Sequence, residues 1–148
     1  MASKINSFKK VRKFLSNVEY INCGGCGISA LTMYRWLQQN NRLKGDEHFV
    51  YLYREWDKEY FVNNAKALEN KKLRPDACYH VVLFHKGKYI DCKEEHKPSD
   101  YKYVHFNIDE KFLKKSLKNK DAWNYAFDRE YSIPFIEKNI NINLEDIK

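Results

Sequence analysis

Apolar residues recur at three- and four-residue intervals near the start of the chain. Ile5, Phe8, Val11 and Leu15 keep this spacing, which predicts an amphipathic helix over residues 4–16. Ile28, Leu31, Tyr34 (or Met33) and Leu37 predict a second helix over 26–40, stopped by Asn40-Asn41 and Gly45. The period then changes. Residues 48–53, His-Phe-Val-Tyr-Leu-Tyr, read as a strand. Asp57 could cap a third helix to about residue 70, with Pro75 closing that stretch. Strands follow at 77–84 and 88–92, joined around Lys86-Gly87, then a turn at Pro98-Ser99-Asp100 and a strand over 103–107. Asp109 or Asn107 caps a helix to about residue 118, and a short helix is expected over 121–129. Residues 133–148 give no clear element. Helices first, then a small antiparallel sheet with helices packed on it, make an α+β pattern in one domain, 1–148.

Chemistry concentrates at the start of the second helix. Asn22-Cys23-Gly24-Gly25-Cys26 is a glycine-rich turn that sets Cys26 on a helix N-terminus. The helix dipole and the free N–H groups there favour a thiolate. Further along, Tyr79-His80-Val81-Val82-Leu83-Phe84 and Lys88-Tyr89-Ile90-Asp91 form the arms of a hairpin. If Lys86-Gly87 is a two-residue turn, Asp91 lies opposite Val82, and His80 is its diagonal neighbour on the same face. A loop one residue longer would put them on opposite faces. His80 lies in a strand apolar on both faces and needs a buried partner, which Asp91 supplies. Nucleophile, base and orienter in the order Cys26, His80, Asp91 is the logic of an activated thiol. The backbone N–H of Cys26 is one natural oxyanion donor, and Asn22 or Tyr20 could add a side chain. His85, beside the turn, is expected at the surface. His48 and His96 carry no partner signal.

Composition narrows the setting. A chain of 148 residues that is 43% hydrophobic and 16% aromatic can bury one core. No apolar run reaches membrane-spanning length, and residues 1–13 lack the blocks of a secretory signal. A cytoplasmic protein with reduced cysteines and no membrane partner is therefore expected. The net charge of +7 would suit nucleic acid, but 20 acidic residues are mixed among 27 basic ones. The basic runs at 9–13 and 111–120 fall on helical patterns and read as solvated faces.

Asn22-Cys23-Gly24-Gly25-Cys26 resembles the nucleophile segment of papain-like cysteine peptidases, in which the second cysteine of Cys-Gly-Ser-Cys-Trp attacks. The hairpin with His80 and Asp91 is similar to compact members of that superfamily: transglutaminase-like cores, arylamine acetyltransferases and bacterial cell-wall cysteine endopeptidases. The resemblance covers about 22–37 and 77–92. It implies a papain-like/transglutaminase-like core with a Cys-bearing helix on an antiparallel sheet, Cys26 as nucleophile, no cofactor or metal, and a protein or peptide substrate. Gly27 stands where the papains carry an aromatic residue. Tyr20, six residues before Cys26, stands where they carry the oxyanion glutamine.

Two other chemistries share these residues. Cys23 and Cys26 have the spacing of a zinc knuckle, whose second half would come from Cys78, His80 or Cys92. A thioredoxin-type pair would need a preceding strand that Glu19-Tyr20-Ile21 does not supply. A basic binding module without catalysis is the non-enzyme alternative. There, aromatic residues among lysines, as in Tyr101-Lys102-Tyr103, would stack on bases.

Overall fold

The computed structural model describes residues 5–22, 25–54, 80–101, 103–118 and 127–148. The helix expected over 57–70, Pro75, the first residues of the 77–84 strand, residues 119–126, Cys23 and Cys78 lie outside these segments.

The first helix, α1 (Phe8–Ser16), starts where Ser7 accepts a hydrogen bond from the Lys10 N–H at 3.2 Å. Val11 and Leu15 are fully buried, with Ile5 and Phe8 packed at the edge of the core. The second, α2 (Cys26–Gln39), is buried nearly all round, from Cys26 through Met33 and again at Trp36 and Leu37. It is a central helix rather than a surface one. Met33 turns inward and Tyr34 is only partly covered.

Five strands form one antiparallel sheet, β1 (His48–Arg54), β2 (His80–His85), β3 (Lys88–Ile90), β4 (Glu95–His96) and β5 (Tyr103–Ile108), in the order β4-β3-β2-β1-β5. The β2–β3 turn has two residues, as the sequence argument required. Lys86 and Gly87 both have positive φ (53° and 77°), the mirror-image geometry that matches strand twist. Leu83 pairs with Ile90, Phe84 with Tyr89 and His85 with Lys88. Alternation sorts the side chains into two layers. Phe49, Tyr51, Val81, Leu83 and Ile90 join the helices in the main core, whereas Val50, Leu52, Val82 and Tyr89 form a smaller cluster.

Helix α3 (Glu110–Leu117) is capped by Asp109, which accepts from the Phe112 N–H at 2.8 Å. The last quarter of the chain is more ordered than its pattern suggested. Asp128 accepts from the Tyr131 N–H at 3.2 Å and opens α4 (Arg129–Ile140), so Phe127 and Asp128 precede a helix rather than close one. Ile133, Ile136, Ile140, Ile142, Leu144 and Ile147 are all buried. Each such side chain contributes roughly 1.5–3 kcal/mol of transfer free energy. Arg35 holds the tail to α2, with two hydrogen bonds to Asp146 (2.8 and 2.6 Å) and one to the Asn143 carbonyl (2.7 Å). Among the described residues, no helix is long and apolar enough to cross a membrane. The fold is α+β, with helices on an antiparallel sheet.

Candidate active site

The site begins with a close approach. Gly25 is the N-cap of α2 and has no side chain to cap with. A Cβ built there would lie 2.6 Å from the Ile21 carbonyl oxygen and 2.8 Å from the Phe127 ring, so only glycine fits. Its neighbour Cys26 opens the helix with its thiol largely covered. Gly27 answers a second constraint: a Cβ there would sit 2.9 Å from Cδ2 of Leu117. The missing aromatic side chain after the nucleophile position lets α3 pack against the first turn of α2.

His80 is the first residue of β2, and its side chain is 12% exposed. Its Nε2 is 2.9 Å from Oδ2 of Asp91. The Cys26 thiol acts on the same imidazole from the start of α2. Burial works against the imidazolium, but hydrogen bonds and charge attraction from Asp91 and Cys26 raise His80 to about 10. Burial likewise penalises the Asp91 carboxylate. Its bonds to His80 and to the Glu94 and Lys93 backbones outweigh that and hold it below the usual range. Oδ1 of Asp91 accepts both the Lys93 and the Glu94 N–H at 2.7 Å, and the Asp91 N–H closes on the Glu94 carbonyl at 2.9 Å. One carboxylate oxygen thus fixes the turn, and the other fixes the imidazole.

The sequence reading missed the outer support. Arg12, inside the basic run taken for a solvated face, donates from Nε to the Asp91 carbonyl at 3.0 Å. Its other nitrogen reaches Glu95 at 3.1 Å. No periodicity could have revealed a contact across 79 residues.

The two oxyanion candidates part company. The carboxamide oxygen of Asn22 lies 3.9 Å from the Cys92 thiol, which donates to it. That contact uses the oxygen of the Asn22 carboxamide, not its amide nitrogen. Tyr20 is 53% exposed, with φ of 57°, and lines a surface groove. Cys92 itself is buried; desolvation pushes its thiol up to about 11, with Asp91 opposing ionisation further.

His85 is a correction. It is 3% exposed, not a surface residue. Its position in β2 turns it toward the helices, where Nδ1 pairs with Oε2 of Glu47 and the Phe8 ring meets it edge-on at 5.7 Å. His48 bonds the Asp46 carbonyl and stacks on Phe84, while His96 pairs with Glu94 at the surface. His105, unremarked in the sequence, bonds the Tyr89 hydroxyl at 3.0 Å and the Tyr101 carbonyl at 3.1 Å. Among the described residues, no group of three or more His, Cys, Asp or Glu side chains is arranged to hold a metal ion.

No protein-family model, curated protein or solved structure matches this chain. What fold and site define is an α+β domain with Cys26, His80 and Asp91 gathered at a helix N-terminus.

Proposed function

We propose that this chain is a thiol enzyme with a papain-like/transglutaminase-like core that cleaves or transfers an amide acyl group of a peptide or protein. The observation that carries the reading is His80, held at 2.9 Å by the Asp91 carboxylate and raised in part by the nearby Cys26 thiol where α2 begins. In the first half-reaction the Cys26 thiolate adds to the amide carbonyl carbon, and the oxyanion is met by the Cys26 N–H, with the Asn22 amide as second donor. The C–N bond breaks as the His80 imidazolium gives its proton to the departing amine, leaving a thioester on Cys26. In the second half-reaction water or an acceptor amine attacks the thioester, His80 takes its proton, and the thiolate is released. Asp91 stays ionised and holds the ring. A cytoplasmic setting keeps both thiols reduced. No cofactor enters either step.

Iodoacetamide labelling of native protein across pH, with the modified cysteine located by mass spectrometry, tests the assignment. Cys26 is expected to react first. Faster reaction at Cys23, Cys78 or Cys92 defeats it. Elemental analysis decides the zinc alternative: stoichiometric zinc in the wild type, lost in Cys23→Ser, would replace the enzyme with a metal-binding module.

A further inference from the structure

Three large hydrophobic side chains stand exposed among the described residues: Tyr20 (53%), Tyr131 (67%) and Phe135 (40%). All three line a single surface groove of about 460 Å³. Such clustering marks an interaction site, since scattered exposure is the ordinary case. Tyr131 and Phe135, one turn apart on α4, stack with centroids 6.0 Å apart, and Phe14 of α1 backs Phe135 at 5.4 Å. Tyr20 faces them from the opposite wall through a left-handed backbone that an aromatic residue rarely adopts.

The charge of the groove runs against that of the chain. The net charge is +7, yet among the described residues no Lys or Arg lines this groove, and two carboxylates, Glu19 and Asp128, do. Neither has a salt-bridge partner among the described residues; Asp128 contacts the Tyr131 N–H as a helix cap. Arg129, the nearest cation in sequence, is turned inward onto the Leu117 and Ile147 carbonyls at 2.6 and 2.7 Å. Lys13 and Lys138 sit on the flanking helices and do not line the groove. Exposed aromatic faces with uncompensated carboxylates complement a cationic side chain on an apolar stem.

The groove also adjoins the nucleophile. Its two walls end at Tyr20 and begin at Asp128. The next residues inward, Ile21 and Phe127, are the two that close on Gly25, the residue before Cys26.

We infer that the groove of Tyr20, Tyr131, Phe135, Glu19 and Asp128 is a specificity subsite that takes a Lys or Arg side chain near the scissile acyl group in the substrate sequence. This rests on the thiol-enzyme reading and adds the substrate class to it: a basic peptide segment. The aliphatic stem lies on the rings and the charged head meets the carboxylates.

The test uses tripeptidyl chloromethyl ketones carrying Lys, norleucine or Glu at the second and third residues from the ketone, with iodoacetamide as a probe that has no side chain. Inactivation of Cys26 in the wild type is expected to be about tenfold faster with the Lys reagent than with norleucine. The ratio should fall to near one in Glu19→Gln/Asp128→Asn, in which Asn keeps the helix cap. In Glu19→Lys the Glu reagent should gain on the Lys reagent, a reversal that unfolding cannot produce. Equal rates with Lys and norleucine, or a Lys preference that survives the double substitution, overturn the subsite while Cys26 still reacts with iodoacetamide. Failure of Cys26 to react even with iodoacetamide instead removes the thiol-enzyme reading, and the subsite with it.

Discussion

Strand β2 carries a histidine–carboxylate pair at each end, and the two ends do different things. At its start, His80 bonds Asp91 and feels the charge of the Cys26 thiol, beside the first turn of a helix. At its end, His85 bonds Glu47, and the Phe8 ring closes over it. Both imidazoles are buried and both carboxylates accept backbone N–H groups: Lys93 and Glu94 on Asp91, Lys44 and Gly45 on Glu47. A buried pair is therefore no signature of chemistry. The third partner makes the difference, a thiol in one case and a hydrocarbon edge in the other. The carboxylate of the sealed pair also comes from a loop 38 residues away, whereas that of the open pair comes from the turn that directly follows the adjoining strand.

The largest expected effect separates the two thiols placed near the open pair. Cys26→Ser should abolish rapid alkylation at pH 7 altogether. The Cys92 thiol, raised to about 11, should stay unlabelled until the protein unfolds.

Next comes the contrast between the two histidines. His80→Ala should slow Cys26 alkylation by about 100-fold or more, the range of a lost acid–base partner. His85→Ala should leave that rate within about threefold and cost about 1–3 kcal/mol of stability, because Glu47 keeps its burial and loses a donor. Denaturant melts with parallel labelling measure both quantities. A His85 variant that is stable but unreactive would erase the distinction.

The pH dependence of stability should split the pairs in opposite directions. His80 has its folded value raised above that of the unfolded chain, so its contribution is fully present below about 6.5 and fades as pH climbs through about 10. Glu47 is penalised by burial, but the Lys44 and Gly45 N–H groups and His85 outweigh this and lower it to about 2. Its contribution is present above about 4.3 and fades as pH falls through about 2. Urea melts of wild type against His80→Gln and Glu47→Gln should show the first difference vanish in alkali and the second in acid.

The smallest effect belongs to Arg12. Arg12→Ala should cost about 0.5–1.5 kcal/mol and slow labelling only a few-fold, since the Asp91 turn keeps its own hydrogen bonds. A loss as large as that of His80→Ala would make Arg12 part of the relay rather than a brace on it.

The two pairs also differ in how far the sequence disclosed them. Given a two-residue turn at Lys86-Gly87, the hairpin register and with it the meeting of His80 and Asp91 follow from the sequence, and the structure has that turn. The Gly-rich turn before an amphipathic run located Cys26. Local information sufficed because each of these contacts, or its geometry, is set within a dozen residues. His85 was misread because its partner is remote in the chain and because a residue beside a turn is usually wet. Arg12 was hidden for the same reason. The tail gives no clear element in the sequence, and the spacing of Ile133, Ile136 and Ile140 on α4, a helix with Pro134 inside it, becomes meaningful only once a core exists to receive it. Gly27, an anomaly against the papain-like pattern, is explained by Leu117 of a helix far along the chain.

The tight turn between β2 and β3 has a further consequence for the order of assembly. His80 and Asp91 are eleven residues apart, at the two arms of one hairpin. Hairpins of this kind close in about 1–10 μs, well before distant segments dock. Cys26 arrives on a helix whose seat is built from α1, α3 and the sheet, contacts of long sequence separation that form late. The imidazole and carboxylate are thus expected to be waiting when the thiol is delivered, so that reactivity at Cys26 switches on only with the final collapse of the fold.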